Sequence, residues 1–439
     1  MNRKKGLLIL CLTILMGSCS PLTIDPIGTK TAGWLDWDGE GGWGGASKAV
    51  AEGGLVMDLE TEGLVEAPKG SMAIMGSSDE TDWSSEEPRD GDVSQRPNLR
   101  AGSVDDNAEW DDYLLYRLRF AEWNIRVHDI DVSERHIIQI TNGQGQPVLG
   151  TKVTISDDAG RELGSMYTHA DGKVLFFPLA SSSPDAQLYQ ILAEKGSASA
   201  DFTLNRNERD HTLVLDTPSA KVPVRLDVHF LIDATGSMSD EIEQLKANMI
   251  TISERIHALP SSPDVRFGMT IYRDRGDLFV SRTFEFTPDI ERFTEELRNI
   301  AAEGGGDYAE SLNEGLHNAI HLPEWRVDDT VSLIFLVADA PPHLDYANDY
   351  DYAEDVFEAV ERGIKIFPLA SSGLDDQGEY IFRQLAQISA GKFLFLTYGA
   401  GGAPGDETPH HVDDYSVLSL DELVVRLVEE ELAQLSLEQ

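Results

Sequence analysis

The spacing of apolar residues changes along the chain and divides it into regions. From Ser20 to about Asn107 no apolar period is sustained. Gly, Ser, Pro and acidic residues dominate there, as at Gly39-Glu40-Gly41-Gly42 and Asp79-Glu80-Thr81-Asp82. Such a stretch buries too little apolar surface to offset its ordering entropy, so residues 19–107 are expected to form a disordered acidic tether. Trp110, Leu114, Leu118 and Ala121 then recur at helical spacing, which predicts a short helical lead-in over 108–125. Over 126–216 the period drops to two: Ile138 and Ile140, Val153 and Ile155, Val174 and Phe176, Phe202 and Leu204, Leu213 and Leu215. Asn142-Gly143, Asp158-Ala159-Gly160 and Asp171-Gly172 separate these runs. Short strands with regular turn signals predict a small β-sandwich.

Over 222–435 strand and helix patterns alternate, which predicts an α/β domain: a mainly parallel sheet covered by helices. An apolar run ends at Asp233, and a helix follows with Ile242, Leu245, Met249, Ile252 and Ile256 at three- and four-residue steps. Strands are predicted over 265–272 and 278–286, then a helix over 288–301 with Pro288 at its first position. Gly304-Gly305-Gly306-Asp307 opens a predicted helix over 308–320. The strongest strand, Val331 to Val337, ends at Ala338-Asp339. Ser419 and Glu422 form a capping-box pattern at the start of the last helix.

The first residues have another character. Arg3, Lys4 and Lys5 are basic, Gly6 to Met16 are mostly apolar, and small residues precede Cys19. The apolar run is too short to span a bilayer and has the parts of a secretory signal. Its end, LMGSCS, resembles a bacterial lipobox. That resemblance implies a signal over 1–18, lipid such as palmitate on Cys19, and, with Ser20 next, an outer-membrane protein on the periplasmic or exposed side. The only membrane contact expected is through this lipid. The other cysteine is Cys11, so the body of the protein has no cysteine metal site or disulfide framework.

A net charge of −42 excludes a nucleic-acid partner, which needs clustered Lys and Arg, and suits a cation-attracting surface. The candidate site lies where the first buried strand ends. Asp233-x-Thr235-x-Ser237 offers one carboxylate and two hydroxyls from a single turn, and Gly236 lets that turn pass close to an ion. Asp339 ends a second buried strand and supplies another carboxylate if the two strands are neighbours. Hard divalent cations take such oxygen ligands, and a shell with few protein charges leaves room for a partner's acidic group.

The stretches DVHFLIDATGSMSDEI, EGGGDYAESL and IFLVADAPPH together resemble a von Willebrand factor type A domain over about Val222 to Leu432. The resemblance implies a Rossmann-like fold with helices on both faces and a metal-ion-dependent adhesion site. Asp233, Thr235, Ser237 and Asp339 map onto its ligands, holding Mg²⁺ or Ca²⁺, with protein–protein binding and no catalysis. Members of this family often add a threonine from the loop before the third helix; this chain has Gly304 to Glu310 there and no threonine. Asp307 is read two ways, as a further ligand or as a helix N-cap. A third carboxylate at the site would favour Ca²⁺. The run QITNGQGQPVLGTKVTISDDAGRELGSMYTHADGKVLFFP resembles bacterial immunoglobulin-like or carboxypeptidase-regulatory-like modules and implies a spacer.

Other motifs carry less. Arg275-Gly276-Asp277 spells a tripeptide that integrins recognise, but such tripeptides arise by chance. His343 and His410-His411 are read as surface or packing residues rather than metal ligands. Enzyme motifs fail residue by residue: Thr235 stands where aspartate-dependent phosphatases carry a second Asp. Ser237 lacks the flanking glycines of a nucleophile elbow, and no phosphate loop or H-E-x-x-H helix occurs. The expected function is that of a monomeric, non-enzymatic envelope lipoprotein whose cation site binds a protein ligand through its acidic residue. The alternatives are a structural or regulatory subunit with a purely structural metal, and a metal-dependent hydrolase.

Overall fold

The computed structural model of the protein describes residues 99–218, 223–399 and 405–435; Cys19 and most of the expected tether lie outside them. In chain order the elements begin with β1 (Arg100–Val104) and α1 (Trp110–Glu122). Seven short strands follow: β2 (His136–Thr141), β3 (Lys152–Asp157), β4 (Glu162–Tyr167), β5 (Lys173–Phe176), β6 (Leu188–Lys195), β7 (Ala198–Asn205) and β8 (Asp210–Val214). The α/β part comprises β9 (Arg225–Asp233), α2 (Ile242–His257), β10 (Asp264–Tyr272), β11 (Ser281–Thr287), α3 (Ile290–Arg298), α4 (Leu312–His321) and β12 (Thr330–Ala338). It continues with α5 (Tyr352–Glu361), β13 (Ile364–Ala370), α6 (Asp376–Ile388), β14 (Phe393–Thr397), β15 (Leu418–Ser419) and α7 (Leu420–Gln434).

The central sheet has the order β11-β10-β9-β12-β13-β14-β1-β15. Its five inner strands, β10, β9, β12, β13 and β14, run parallel; β11, β1 and β15 each join antiparallel to their neighbour. Strand β12 is buried along its whole length, as expected for a strand with both faces covered. On one face Leu226, Val228, Phe230 and Ile232 of β9 pack with α2, α3 and α7. On the other face α4, α5 and α6 form a core that runs on into the inner residues of β2 to β7. Those strands make a three-stranded sheet, β5-β2-β8, and a four-stranded sheet, β4-β3-β6-β7.

Four expectations shift. Strand β1 lies within the stretch 19–107 assigned to the tether, yet it is inserted between β14 and β15 with Ala101 and Val104 buried. Its Gly102 is covered by the rings of Phe395 and Tyr415, which would clash with any Cβ; a glycine in a five-residue strand reads as loop. The buried face of α1 is Tyr113, Tyr116 and Phe120, while Leu118 of the expected apolar stripe is 68% exposed. The aromatic rings win because partners await them: Phe120 stacks on Tyr380 with centroids 4.0 Å apart, and Arg383 sits over Tyr116. Finally, α3 begins after Pro288, with Asp289 as N-cap accepting from the amides of Glu291 and Arg292. Ser419 occupies the N-cap of α7 without a side-chain capping bond.

Candidate metal centre

The chain leaves β9 for β10 on one side and returns to β12 on the other, so the carboxyl end of β9 is a point where the strand order reverses. Ligand sites of open α/β sheets form in such crevices. Ile232 pairs with Val337, which sets Asp233 beside Ala338 and puts Asp339 one residue further on. The two acids predicted from separate strand ends therefore reach one spot.

Asp233 is fully buried. Its Oδ1 accepts from the Thr235 amide at 2.9 Å and from the Thr235 hydroxyl at 2.6 Å. Thr235 Oγ1 stands 3.0 Å from Ser237 Oγ, and the Ser237 hydroxyl donates to Asp339 Oδ1 at 3.1 Å. These four side chains form one connected cluster. Asp233 Oδ2 is buried and makes no hydrogen bond of ordinary geometry; the Tyr272 hydroxyl is the polar group near enough to favour its charged form.

A third carboxylate, that of Glu310, lies in the neighbourhood of these four side chains. Glu310 is buried, and its Oε2 also lacks a partner. Its other oxygen lies beside Gly305, which in turn lies against Thr235. Burial, then Asp233, Asp274, Asp277 and Asp339, push its carboxyl up to about 9. Burial and Asp339 push Asp233 up to about 7, and burial raises Asp339. The site gathers acidic groups away from water, with no Lys or Arg ion-paired to them among the described residues. Asp307 instead is largely exposed and lies 3.7 Å from His343 Nε2. It caps no helix, because α4 begins only at Leu312 with Ser311 at its N-cap.

The loop from Gly304 to Glu310 is held by residues that sequence reasoning left aside. Gly304 and Gly305 have φ of +84° and +75°, a region costly for residues with a Cβ. Asp277 Oδ2 accepts from the Gly305 amide at 2.9 Å and the Asp274 amide at 3.1 Å. A Cβ on Gly304 would overlap that carboxylate. The Gly236 amide donates to Gly304 O at 3.0 Å, joining the loop to the Asp233–Ser237 turn. Arg275 is paired with Asp349 at 2.7 Å and lies over Tyr346. The Arg275-Gly276-Asp277 tripeptide thus serves internal contacts. Glycine pairs before an acidic residue were the available signal for this loop; nothing in the spacing singled out Glu310 over Asp307.

His343 is buried with Nδ1 2.8 Å from Asp345. His410 and His411 both contact Glu379, at 3.2 and 3.1 Å.

An Asp-Thr-Ser turn and a second Asp on adjacent strand ends of a mainly parallel sheet define a class, and the comparisons agree. Residues 227–398 match the von Willebrand factor A domain, and this part of the chain is such a domain, a module that typically mediates protein–protein interaction or adhesion. Three relatives are similar to parts of this chain. The alpha-protein kinase vwkA of Dictyostelium discoideum is 24% identical over 279 residues, covering 62% of this chain and 43% of the kinase. Human von Willebrand factor A domain-containing protein 7 is 32% identical over 146 residues, covering 32% of this chain and 14% of its own length. Mouse hemicentin-1 is 24% identical over 173 residues, covering 38% and 3%. The chain thus spans less than half the length of each.

Proposed function

We propose that this chain is a non-enzymatic binding protein whose von Willebrand factor A domain holds Mg²⁺ or Ca²⁺ and presents it to an acidic group on a protein ligand. One observation carries the reading: Asp233, Thr235, Ser237 and Asp339 form one connected cluster at the carboxyl end of β9, away from any Lys or Arg ion pair among the described residues. A divalent cation supplies what such a cluster lacks. Asp233 and Asp339 would hold it, with the Thr235 and Ser237 hydroxyls completing the protein's share. Because the hydroxyls are neutral, the ion keeps affinity for a further carboxylate from outside.

The setting we propose is the bacterial cell envelope. The basic, apolar and small-residue order before Cys19 supports an outer-membrane lipid anchor, with the acidic stretch after it as a tether. Cys19→Ala would then abolish incorporation of labelled palmitate and release the protein from membranes; unchanged labelling would remove the anchor from the account. The binding role is tested by affinity capture from envelope extract with wild-type and Asp233→Ala chains, each with and without EDTA. The reading requires at least one partner that is lost both with EDTA and with Asp233→Ala. Partners retained equally in all four samples would leave the metal no part in recognition.

A further inference from the structure

A second cluster lies away from the Asp233 site, between α4 and α5. His317 and His321 are one turn apart on α4, and Asp355 and Glu358 are three residues apart on α5, so each pair projects from one face of its helix. The two faces meet. His317 Nδ1 is 2.9 Å from Asp355 Oδ1, and His321 Nε2 contacts Glu358 Oε2. One donor atom from each of the four lies within 4.8 Å of all the others. The imidazoles are stacked with centroids 4.2 Å apart, and Tyr350 covers the outer side of His317 at 3.6 Å. Independently of the clustering, the Asp355 side chain is only 4% exposed and its Oδ2 is buried without a partner. Glu358 is 45% exposed, which opens the cluster to solvent on one side.

We propose that His317, His321, Asp355 and Glu358 form a site for a first-row transition-metal ion, Zn²⁺ being the best fit. Two imidazole nitrogens and two carboxylate oxygens suit Zn²⁺, Co²⁺ or Ni²⁺; Mg²⁺ and Ca²⁺ prefer an all-oxygen shell. Tetrahedral ligands 2.0 Å from zinc are about 3.3 Å apart, so no pair need close by more than about 1.5 Å on binding. The ion bridges α4 to α5 and fixes the helix that leads out of the Gly304–Glu310 loop. One residue competes with it. Arg362 donates to His321 Nδ1 at 2.9 Å, which keeps the proton on Nε2 because Arg has no acceptor. Binding at Nε2 moves that proton to Nδ1 and displaces the guanidinium.

The test uses the full chain with Asp233→Ala, so that the first site is silent, and Co²⁺ as a visible probe. The proposal expects intense d–d absorption saturating at one ion per chain, displaced by Zn²⁺ and unaffected by Mg²⁺ in the same excess. Glu358→Gln, at a half-exposed position that leaves the fold intact, and His321→Ala should each weaken Co²⁺ binding at least about 10-fold. Arg362→Ala should strengthen it. Circular dichroism of each variant separates loss of ligand from loss of fold. Co²⁺ binding that is absent, or unchanged in all three folded variants, would overturn the proposal.

Discussion

Replacing Arg383 with Met tests how the segment ahead of the β-strand region is held to the α/β domain. Arg383, on α6, is buried. Its Nε and Nη2 donate to the two carboxylate oxygens of Asp106 at 3.0 and 2.6 Å. Its Nη1 donates to Glu379 at 3.3 Å and to the His411 carbonyl at 3.0 Å. The guanidinium also lies 3.9 Å from the ring centre of Tyr116. Met keeps much of the volume but leaves Asp106 and Glu379, 2% and 1% exposed, without this cation. Glu379 retains His410 and His411, so Asp106 takes most of the loss. Removing one partner of a buried ion pair costs about 3–5 kcal/mol, and the contact with Tyr116 adds about 1 kcal/mol. Protonation of Asp106, whose pKa burial already raises, limits the total, so about 4 kcal/mol is expected. Urea unfolding at neutral pH should show a lower midpoint with an unchanged slope. Amide exchange in β1, just ahead of Asp106, should quicken before that in β12. Adding Asp106→Asn to the Met variant should recover part of the loss, because the stranded charge is removed. A loss below about 1 kcal/mol, or β1 exchange unaltered, would refute the claim that this network anchors the N-terminal strand.

Two further predictions rest on separate features. Gly305→Ala places a side chain at φ +75° with its Cβ 2.7 Å from Glu310 Oε1. Stability should fall by about 1–2 kcal/mol, and cation-dependent stabilisation should shrink because the same Cβ lies 3.3 Å from Thr235; calorimetry with and without Ca²⁺ reads both. The buried His229 and His169 have pKa values pushed down to about 3, His229 by burial and His169 by burial and then Lys365. Unfolded histidine titrates near 6.5, so between pH 6.5 and 3 the unfolded chain takes up protons that the folded chain refuses. Their contribution is complete above pH 6.5 and is lost as pH falls, by about 1.4 kcal/mol per pH unit for each histidine. His229→Gln should reduce that slope by about this amount in denaturant titrations from pH 6.5 to 5; an unchanged slope would show that His229 does not stay neutral.

The α/β part was readable because its signals are long and agree with one another. Val331 to Val337 is an apolar run that only a strand covered on both faces requires, and Asp233 and Asp339 stand at run ends where chain direction must change. What escaped was set by tertiary partners. Strand β1 is five residues with a glycine beneath two aromatic rings, so its pairing depends on β14, which follows nearly three hundred residues later. On α1 an aliphatic stripe and an aromatic stripe compete at the same period, and Tyr380 and Arg383, far along the chain, decide between them. Asp307 and Glu310 are both acids in one loop. Two left-handed glycines and the Asp277 carboxylate turn Glu310 inward, and such loop geometry leaves no periodic trace.

The cation site is the centre of the account, and thermal unfolding tests it most directly. The full chain is stripped with EDTA and melted alone, with Mg²⁺ and with Ca²⁺, beside Asp233→Ala treated identically. A ligand of the folded state at 100 times its Kd adds about 2.7 kcal/mol, which raises Tm by several degrees in a domain of this size. The wild type should show that rise with Mg²⁺ or Ca²⁺, and Asp233→Ala should not. Equal melting of the wild type with and without millimolar cation, or an equal rise in both chains, would contradict it.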